Sequence, residues 1–509
     1  MHRVAVYLMW IYAFTTDPGL CLDRNVLIIL ADDFGLETPV YNNTLCKTPN
    51  LERLAKRSVT FQSAYTSVSS CSPSRAALLT GLPSHENGMF GLHHSMHNFN
   101  SFQSVLSLSK ILKRHKIKTG IIGKKHVGPR SVYPFDFERT EENSSILQVG
   151  RNITRIKLLV RHFLSNAKSP FFLYIGFHDP HRCGHTHPEY GNFCENFGSG
   201  KPGMGLIPDW KPIQYDPNTV DVPYFMPDTK EAREDIAAYY TTISRLDQVG
   251  VSLVLDELKE AGYENNTLVI FTSDNGPSFP NGRTNVYEPA VKEPFLISNP
   301  FEPDSWGKVE SSAVSLLDVL PTVLDWFAIK FPKYKIFKKR VKLTGKSLLS
   351  FTNRPFETTM SENNEIYMSH NLHEVTMYYP MRAVRVNDYK LIHNLNYRAP
   401  FPIDQDFYLS PTFQGILNRT ARGEPLRWFK NLTIYYQRPE WELFDLKHDY
   451  RELNNIYEKE SIKNVTNLLK ALLHRWMQAT NDPWLCSPDA VLEENRSYEK
   501  PTCLPLFNR

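Results

Sequence analysis

Asn25-Val26-Leu27-Ile28-Ile29-Leu30-Ala31-Asp32-Asp33 is an unbroken apolar run that stops at two carboxylates. A run without polar alternation is the pattern of a strand buried on both faces, as in a parallel sheet covered by helices. Three further segments repeat it. Residues 119–122 run into Gly123-Lys124-Lys125-His126, residues 171–177 into His178-Asp179-Pro180-His181, and residues 268–272 into Ser273-Asp274-Asn275-Gly276. In open α/β sheets ligands bind beyond the carboxyl ends of the strands, so the four polar clusters are expected to share one crevice.

Helical patterns fill the spaces between the strands: residues 50–57 with Thr48 and Pro49 as cap signals, 230–261, and 314–327 interrupted at Pro321. The alternation predicts an α/β fold, a large mostly parallel sheet sandwiched by helices. From about Val375 the texture changes. Strand-like runs at 382–386 and 390–395 flank the turn-prone Asn387-Asp388, a third follows at 441–445, and 461–480 reads as an amphipathic helix. The expected organisation is therefore a leader over 1–21, a catalytic domain over 22–374 and a smaller C-terminal α+β domain with an antiparallel sheet over 375–509. With 509 residues the chain exceeds what one ordinary core supports, which agrees with two units.

Met1-His2-Arg3 followed by apolar residues 4–14 and a turn-prone stretch ending near Cys21 reads as a cleaved signal peptide. That run is too short to span a bilayer and no later one is longer, so no membrane span is expected. A formal charge of +4 with no long basic block excludes a nucleic-acid arm and names no partner. Eight Asn-x-Ser/Thr acceptors, at Asn42, Asn143, Asn152, Asn265, Asn418, Asn431, Asn464 and Asn495, agree with passage through the secretory pathway. Of seven cysteines, six remain after loss of Cys21. Two local pairs suggest bridges, Cys183 with Cys194 and Cys486 with Cys503, which leaves Cys46 and Cys71 to be explained.

Cys71-Ser72-Pro73-Ser74-Arg75 opens a short helix that stops at Thr80-Gly81. Cys71 thus sits at a helix N-terminus, where unpaired N–H groups and the helix dipole favour an anion, and Arg75 adds a cation one turn along. Asp32-Asp33 and Asp274-Asn275 are oxygen-rich doublets of the kind that ligate a hard divalent cation such as Ca²⁺. Taken singly, such doublets also cap helices or face solvent, and single histidines are as readily core or surface residues. His85, His93, His94 and His97 lack the helical spacing and third ligand of a zinc site and read as loop packing or as lining of a substrate entrance.

The Cys71–Gly81 segment resembles the sulfatase signature Cys-x-Pro-Ser-Arg followed by Thr-Gly, with no departure at its defining positions. The resemblance implies that Cys71 is oxidised to formylglycine, whose hydrated aldehyde attacks sulfur, and that Arg75 steadies it. It implies one Ca²⁺ held by Asp32, Asp33, Cys71, Asp274 and Asn275. It implies sulfate binding by Lys124, orientation of the nucleophile by His126, and contact of His181 with sulfate or leaving group. Arg283 stands where many sulfatases carry a second lysine, and its planar fork suits two sulfate oxygens.

Stretches 120–129, 149–160, 177–185, 375–382 and 400–418 are similar to one branch of the family. That branch implies a lysosomal homodimer that removes N-linked sulfate from glucosamine of heparan sulfate oligosaccharides after maturation by a formylglycine-generating enzyme. A histidine near its ordinary pKa of about 6.5 would protonate the departing amine, with His181 the candidate, and residues 370–374 would help read the sugar. The alternatives are an O-sulfatase, a phosphatase or phosphodiesterase of the same superfamily, against which the cysteine signature argues, and a glycan-binding protein without turnover.

Overall fold

The computed structural model describes residues 24–506 apart from 95, 144–148, 169, 184–189, 353–364 and 494–501. The leader over 1–21 lies outside them. The centre is a nine-stranded sheet of β1 (Asn25–Asp32), β2 (Val59–Tyr65), β3 (Lys118–Gly123), β4 (Phe137–Thr140), β5 (Phe171–Pro180), β6 (Thr267–Ser273), β7 (Lys292–Ser298), β8 (Val309–Glu310) and β9 (Val314–Ser315). Its order is β4-β3-β5-β1-β6-β7-β2-β8, with β9 also pairing β2. Strands β4 through β6 are parallel, and β7 runs antiparallel to both of its neighbours. The four strands expected from the sequence are β1, β3, β5 and β6, which lie side by side as β3-β5-β1-β6. Their carboxyl ends therefore open on one edge.

Alternation along β1 divides the interior. Leu27, Ile29 and Ala31 join a core with Ile156, Val160 and Phe163 of the Ile153–Asn166 helix and Ile236, Tyr240 and Ile243 of the Lys230–Arg245 helix. Val26, Ile28 and Leu30 face the other way, onto Ala76, Leu78 and Leu79 of the Cys71–Thr80 helix and Leu320, Val323 and Leu324 of the Val319–Trp326 helix. A strand buried on both faces needs an apolar side chain at every position, which is why β1 shows no polar alternation.

Two helical expectations change in detail. Residues 230–261 form two helices, Lys230–Arg245 and Ser252–Glu260, joined by a π-helical turn, Leu246–Val251. Pro321 does not interrupt its helix: Val314–Ser315 is a strand, and Pro321 sits in the first turn of Val319–Trp326, where its missing N–H has no partner to lose.

A hairpin of β10 (Lys335–Ile336) and β11 (Lys339–Arg340) precedes a four-stranded antiparallel sheet of β12 (Glu365–His370), β13 (Met381–Val386), β14 (Tyr389–Asn394) and β15 (Trp441–Asp445). This sheet begins ahead of the boundary expected at residue 375, because Glu365–His370 pairs along its full length with β13. One face packs Met368, Met381, Ala383 and Ile392 against Tyr65, Val286 and Ala290 of the large unit. The other packs Val384, Leu391 and Leu443 under Leu469, Leu473 and Trp476 of the Lys463–Ala479 helix. The last hairpin, β16 (Ala490–Glu493) with β17 (Thr502–Pro505), carries the Cys486–Cys503 disulfide.

Candidate active site

Ser70 is extended at the N-cap of the Cys71–Thr80 helix and Gly81 ends it in the left-handed region, φ 67°. Cys71 is the first helical residue, 1% exposed, with Sγ 3.9 Å from Asp33 Oδ1. Burial pushes the thiol well above its ordinary range; Lys124 opposes this, and the charges of Asp32, Asp33 and Asp274 add to it. The group is therefore a neutral thiol, a weak nucleophile as it stands.

Arg75 is wholly buried and joins three strand ends: Nε donates to Asp274 Oδ2 (2.8 Å), Nη1 to the Lys124 carbonyl (2.8 Å) and Nη2 to Asp32 Oδ1 (3.1 Å). Lys124 Nζ lies 2.5 Å from Asp32 Oδ2. Burial is the largest single influence and works against the Lys124 charge, but the anionic surroundings, Asp32 first and then Cys71 and Asp274, together raise the ammonium above its ordinary value. β1 turns sharply at Asp33, φ 59°, and the backbone N–H of Asp33 donates to Asp274 Oδ1. Asn275 Nδ2 donates to Asp33 Oδ1 at 2.7 Å, while Asn275 Oδ1 is buried without a hydrogen-bond partner.

These donors fit a hard divalent cation. Ligand atoms of Asp32, Cys71 and Asp274 lie within 4.8 Å of one another, and so do those of Asp33, Cys71 and His181. Burial raises the carboxyls of Asp33 and Asp274, so positive charge among them would offset an energetic conflict. The unpartnered Asn275 oxygen is one more acceptor of the same class.

His126 is held with φ 55°; its N–H donates to Glu142 Oε1 at 2.7 Å and Nε2 is 2.5 Å from His94 Nδ1. His178 Nδ1 meets Glu141 Oε1 at 2.9 Å and its Nε2 is 3.8 Å from Asp32 Oδ2. His181 is set by its neighbours: Nδ1 lies 2.7 Å from the Arg182 carbonyl, and Arg151 Nη2 donates to the His181 carbonyl at 2.8 Å. Nε2 then faces Arg283 Nη1 (3.3 Å), Asp33 Oδ2 (3.7 Å) and Asp406 Oδ2 (3.9 Å). Just beyond, Cys183 and Cys194 form a disulfide.

Two expectations are corrected here. Burial, followed by the charge of Lys124, holds the His181 imidazole well below its ordinary value, whereas the sequence reading placed it near that value. Arg283 does not present a free fork. Nη1 bonds Asp33, Nη2 lies 2.9 Å from Asp404 Oδ2 and 2.7 Å from Asp406 Oδ1, and Nε lies 3.3 Å from Asp404 Oδ2.

Sequence reasoning did not select His178, Glu141, Asp404 and Asp406, and it read His94 only as loop packing or lining of a substrate entrance. His178 lay inside the quoted His-Asp-Pro-His, and Asp404-Gln405-Asp406 inside the stretch 400–418. Of the other histidines, His85 bridges Ser369 Oγ and Thr480 Oγ1, and His93 meets the Phe99 carbonyl. His97 Nδ1 accepts from the Val375 N–H, and His373 Nδ1 meets Ser70 Oγ at 2.9 Å. Cys46 is a buried free thiol.

The model of the family named Sulfatase matches residues 24–329. The chain is 56% identical to the N-sulphoglucosamine sulphohydrolase of Homo sapiens, over 96% of this chain and 97% of that protein. Among solved structures, a putative sulfatase of Bacteroides thetaiotaomicron superposes with TM-score 0.63 at 18% identity, covering 91% of this chain and 94% of that one. A structure described in complex with its substrate D-glucosamine-2-N,6-O-disulfate gives TM-score 0.62 at 20% identity, with 90% and 98% covered. At these identities the two structures speak for the fold alone.

Proposed function

This chain belongs to the sulfatase family, and from that premise we propose that it is a sulfohydrolase removing the N-linked sulfate from glucosamine residues of heparan sulfate. The observation that carries the reading is the 56% identity, over 96% of this chain, with the human N-sulphoglucosamine sulphohydrolase.

Asp32, Asp33, Asp274 and Asn275 would hold Ca²⁺, which supplies Lewis-acid polarisation of sulfate oxygens. Formylglycine made from Cys71 supplies the hydroxyl of a hydrated aldehyde as nucleophile. The chain's own residues account for the rest. Arg75 locks the carboxyl ends of β1, β3 and β6 into one frame through Asp32, Lys124 and Asp274. Lys124, charged and 6% exposed at its side chain, presents its ammonium to an anionic sulfate. His126, backed by His94, would orient the nucleophile. His181, its Nδ1 tied to the Arg182 carbonyl, offers Nε2 to the leaving group. A bound sulfate brings negative charge that raises the His181 pKa, so the proton needed by the departing nitrogen is taken up with substrate in an acidic medium.

Because Cys71 is 1% exposed, its conversion by a formylglycine-generating enzyme must precede folding. Delivery to the lysosome as a glycosylated homodimer completes the reading. Asn42, Asn265, Asn418, Asn431 and Asn464 are exposed, while the side chains of Asn152 and Asn431 cap helices through the Arg155 and Ile434 N–H groups. Asn143 and Asn495 lie outside the described side chains. Among the described residues no helix is long and apolar enough to cross a membrane.

The test is a paired assay of N-sulfoglucosamine and 6-O-sulfated N-acetylglucosamine. Sulfate is expected from the first at least roughly 100-fold faster. Comparable or reversed rates would make the protein an O-sulfatase instead.

A further inference from the structure

One guanidinium faces more carboxylates than it can neutralise. Arg283 bonds Asp33, Asp404 and Asp406. With Asp33 among the cation-type donors, Asp404 and Asp406 still share a single positive charge. Asp404 is consumed locally: it caps the Gln405–Tyr408 helix through the Phe407 N–H and takes two contacts from Arg283. Asp406 is different. Its side chain keeps 11% exposure against 4% for Asp404 and 0% for Asp33, and its Oδ2 lies 3.9 Å from His181 Nε2. Glu374 is half-buried on the same side, and the charge of Asp406 acts on both Glu374 and the Tyr190 hydroxyl.

Asp406 shares the Arg283 charge with Asp404, and the negative charge left over repels a sulfate anion but suits a group that donates hydrogen or bears positive charge. Hydrolysis of a sulfamate creates such a group. The S–N bond breaks, sulfur gains the oxygen of water, both water protons end on nitrogen, and the products are an ammonium and sulfate dianion. The nitrogen passes from a neutral N–H to a cation, next to the imidazole that faces it.

We propose that Asp406 is the specificity-determining residue that reads the amine: it accepts the sulfamate N–H and binds the ammonium formed from it. This rests on the N-sulfate reading. It assigns the acidic side, Asp406 with Glu374, to the sugar nitrogen and the basic side, Lys124, to the sulfate. An enzyme cutting O-sulfate forms no cation there and gains nothing from the carboxylate.

The experiment is a ligand-observed NMR titration of the wild type and Asp406→Asn with D-glucosamine and with N-acetylglucosamine, beside a turnover assay with N-sulfoglucosamine. The wild type is expected to bind glucosamine about ten- to hundredfold more tightly than the neutral sugar. Asp406→Asn should erase that preference, and Asp406→Glu should retain part of it. Equal binding of the two sugars by the wild type overturns the proposal without any variant, and so does a preference that survives in Asp406→Asn. Should Asp406→Asn not fold, the wild-type preference and its persistence in Asp406→Glu decide the question. Absence of turnover in the wild type counts against the N-sulfate reading alone, since binding is measured separately.

Discussion

Arg75 is the side chain on which three strand ends meet, with bonds to Asp274, Lys124 and Asp32 and no exposure. Removing one partner of a buried ion pair leaves uncompensated charge, so Arg75→Ala should lose about 3–5 kcal/mol of stability as well as turnover. Arg75→Lys keeps the charge but cannot span three acceptors. Its melting temperature should fall less than that of Arg75→Ala while kcat falls nearly as far, and a lysine variant with native kcat would contradict the bridging role. The sequence placed Arg75 at a helix start and named its charge, but not these partners, because strand-to-helix contacts across as many as 199 positions leave no local pattern. The same limit explains His181 and Arg283. Residue type announced an acid and a forked cation, whereas burial and the carboxylates of Asp404 and Asp406 decide their states.

At the scale of elements, β1, β3, β5 and β6 were legible because each is an apolar run ending in polar residues. β7 was not: Lys292-Glu293-Pro294 opens it with two charges and a proline, although the strand is almost wholly buried. β12 was hidden for a related reason, since its six residues mix Glu365, Ser369 and His370 with the apolar ones. The close approach of β3 and β5 where Gly123 pairs Gly176 rests on two glycines that carried no local signal. A Cβ on Gly123, φ 89°, would lie 2.1 Å from the Gly176 carbonyl oxygen, and one on Gly176 would lie 2.2 Å from the Lys124 carbonyl oxygen. That carbonyl is the one Arg75 Nη1 holds. Gly176→Ala should therefore cost about 1–3 kcal/mol and displace Lys124 from Asp32, read as a lower melting temperature with a larger fall in kcat/KM than in stability. An alanine variant with unaltered kcat/KM would show that this approach does not position the site.

For the whole molecule, the two sheets share a core in which Tyr65, Val286 and Ala290 meet Met368, Met381 and Ile392, so the connection from β14 to β15, whose Gln405–Tyr408 helix carries Asp406 and is capped by Asp404, stands close enough to reach a site centred on the larger sheet. The texture change near Val375 pointed to a second, antiparallel sheet but not to its closeness to the catalytic edge. Buried ionisable groups set the response to pH. Burial raises Glu37 to about 7 and Glu86 to about 8, so between these values and their unfolded value of 4.5 the folded chain holds protons that the unfolded chain lacks. Stability contributed by these groups therefore rises as pH falls through that window. Buried histidines oppose this only below their unfolded value of 6.5, His85 being lowered to about 4 and His370 to about 3. The melting temperature at constant Ca²⁺ should rise from pH ~8.5 to ~6.5, and a flat or falling profile over that interval would contradict the assignment. The central claim is that Cys71 is the precursor of the nucleophile, and mass spectrometry of the peptide carrying it tests this most directly. In protein made with the formylglycine-generating enzyme, an aldehyde should replace the thiol in a fraction that tracks sulfate release from N-sulfoglucosamine across preparations. Full activity in a preparation whose Cys71 is entirely thiol would contradict the account.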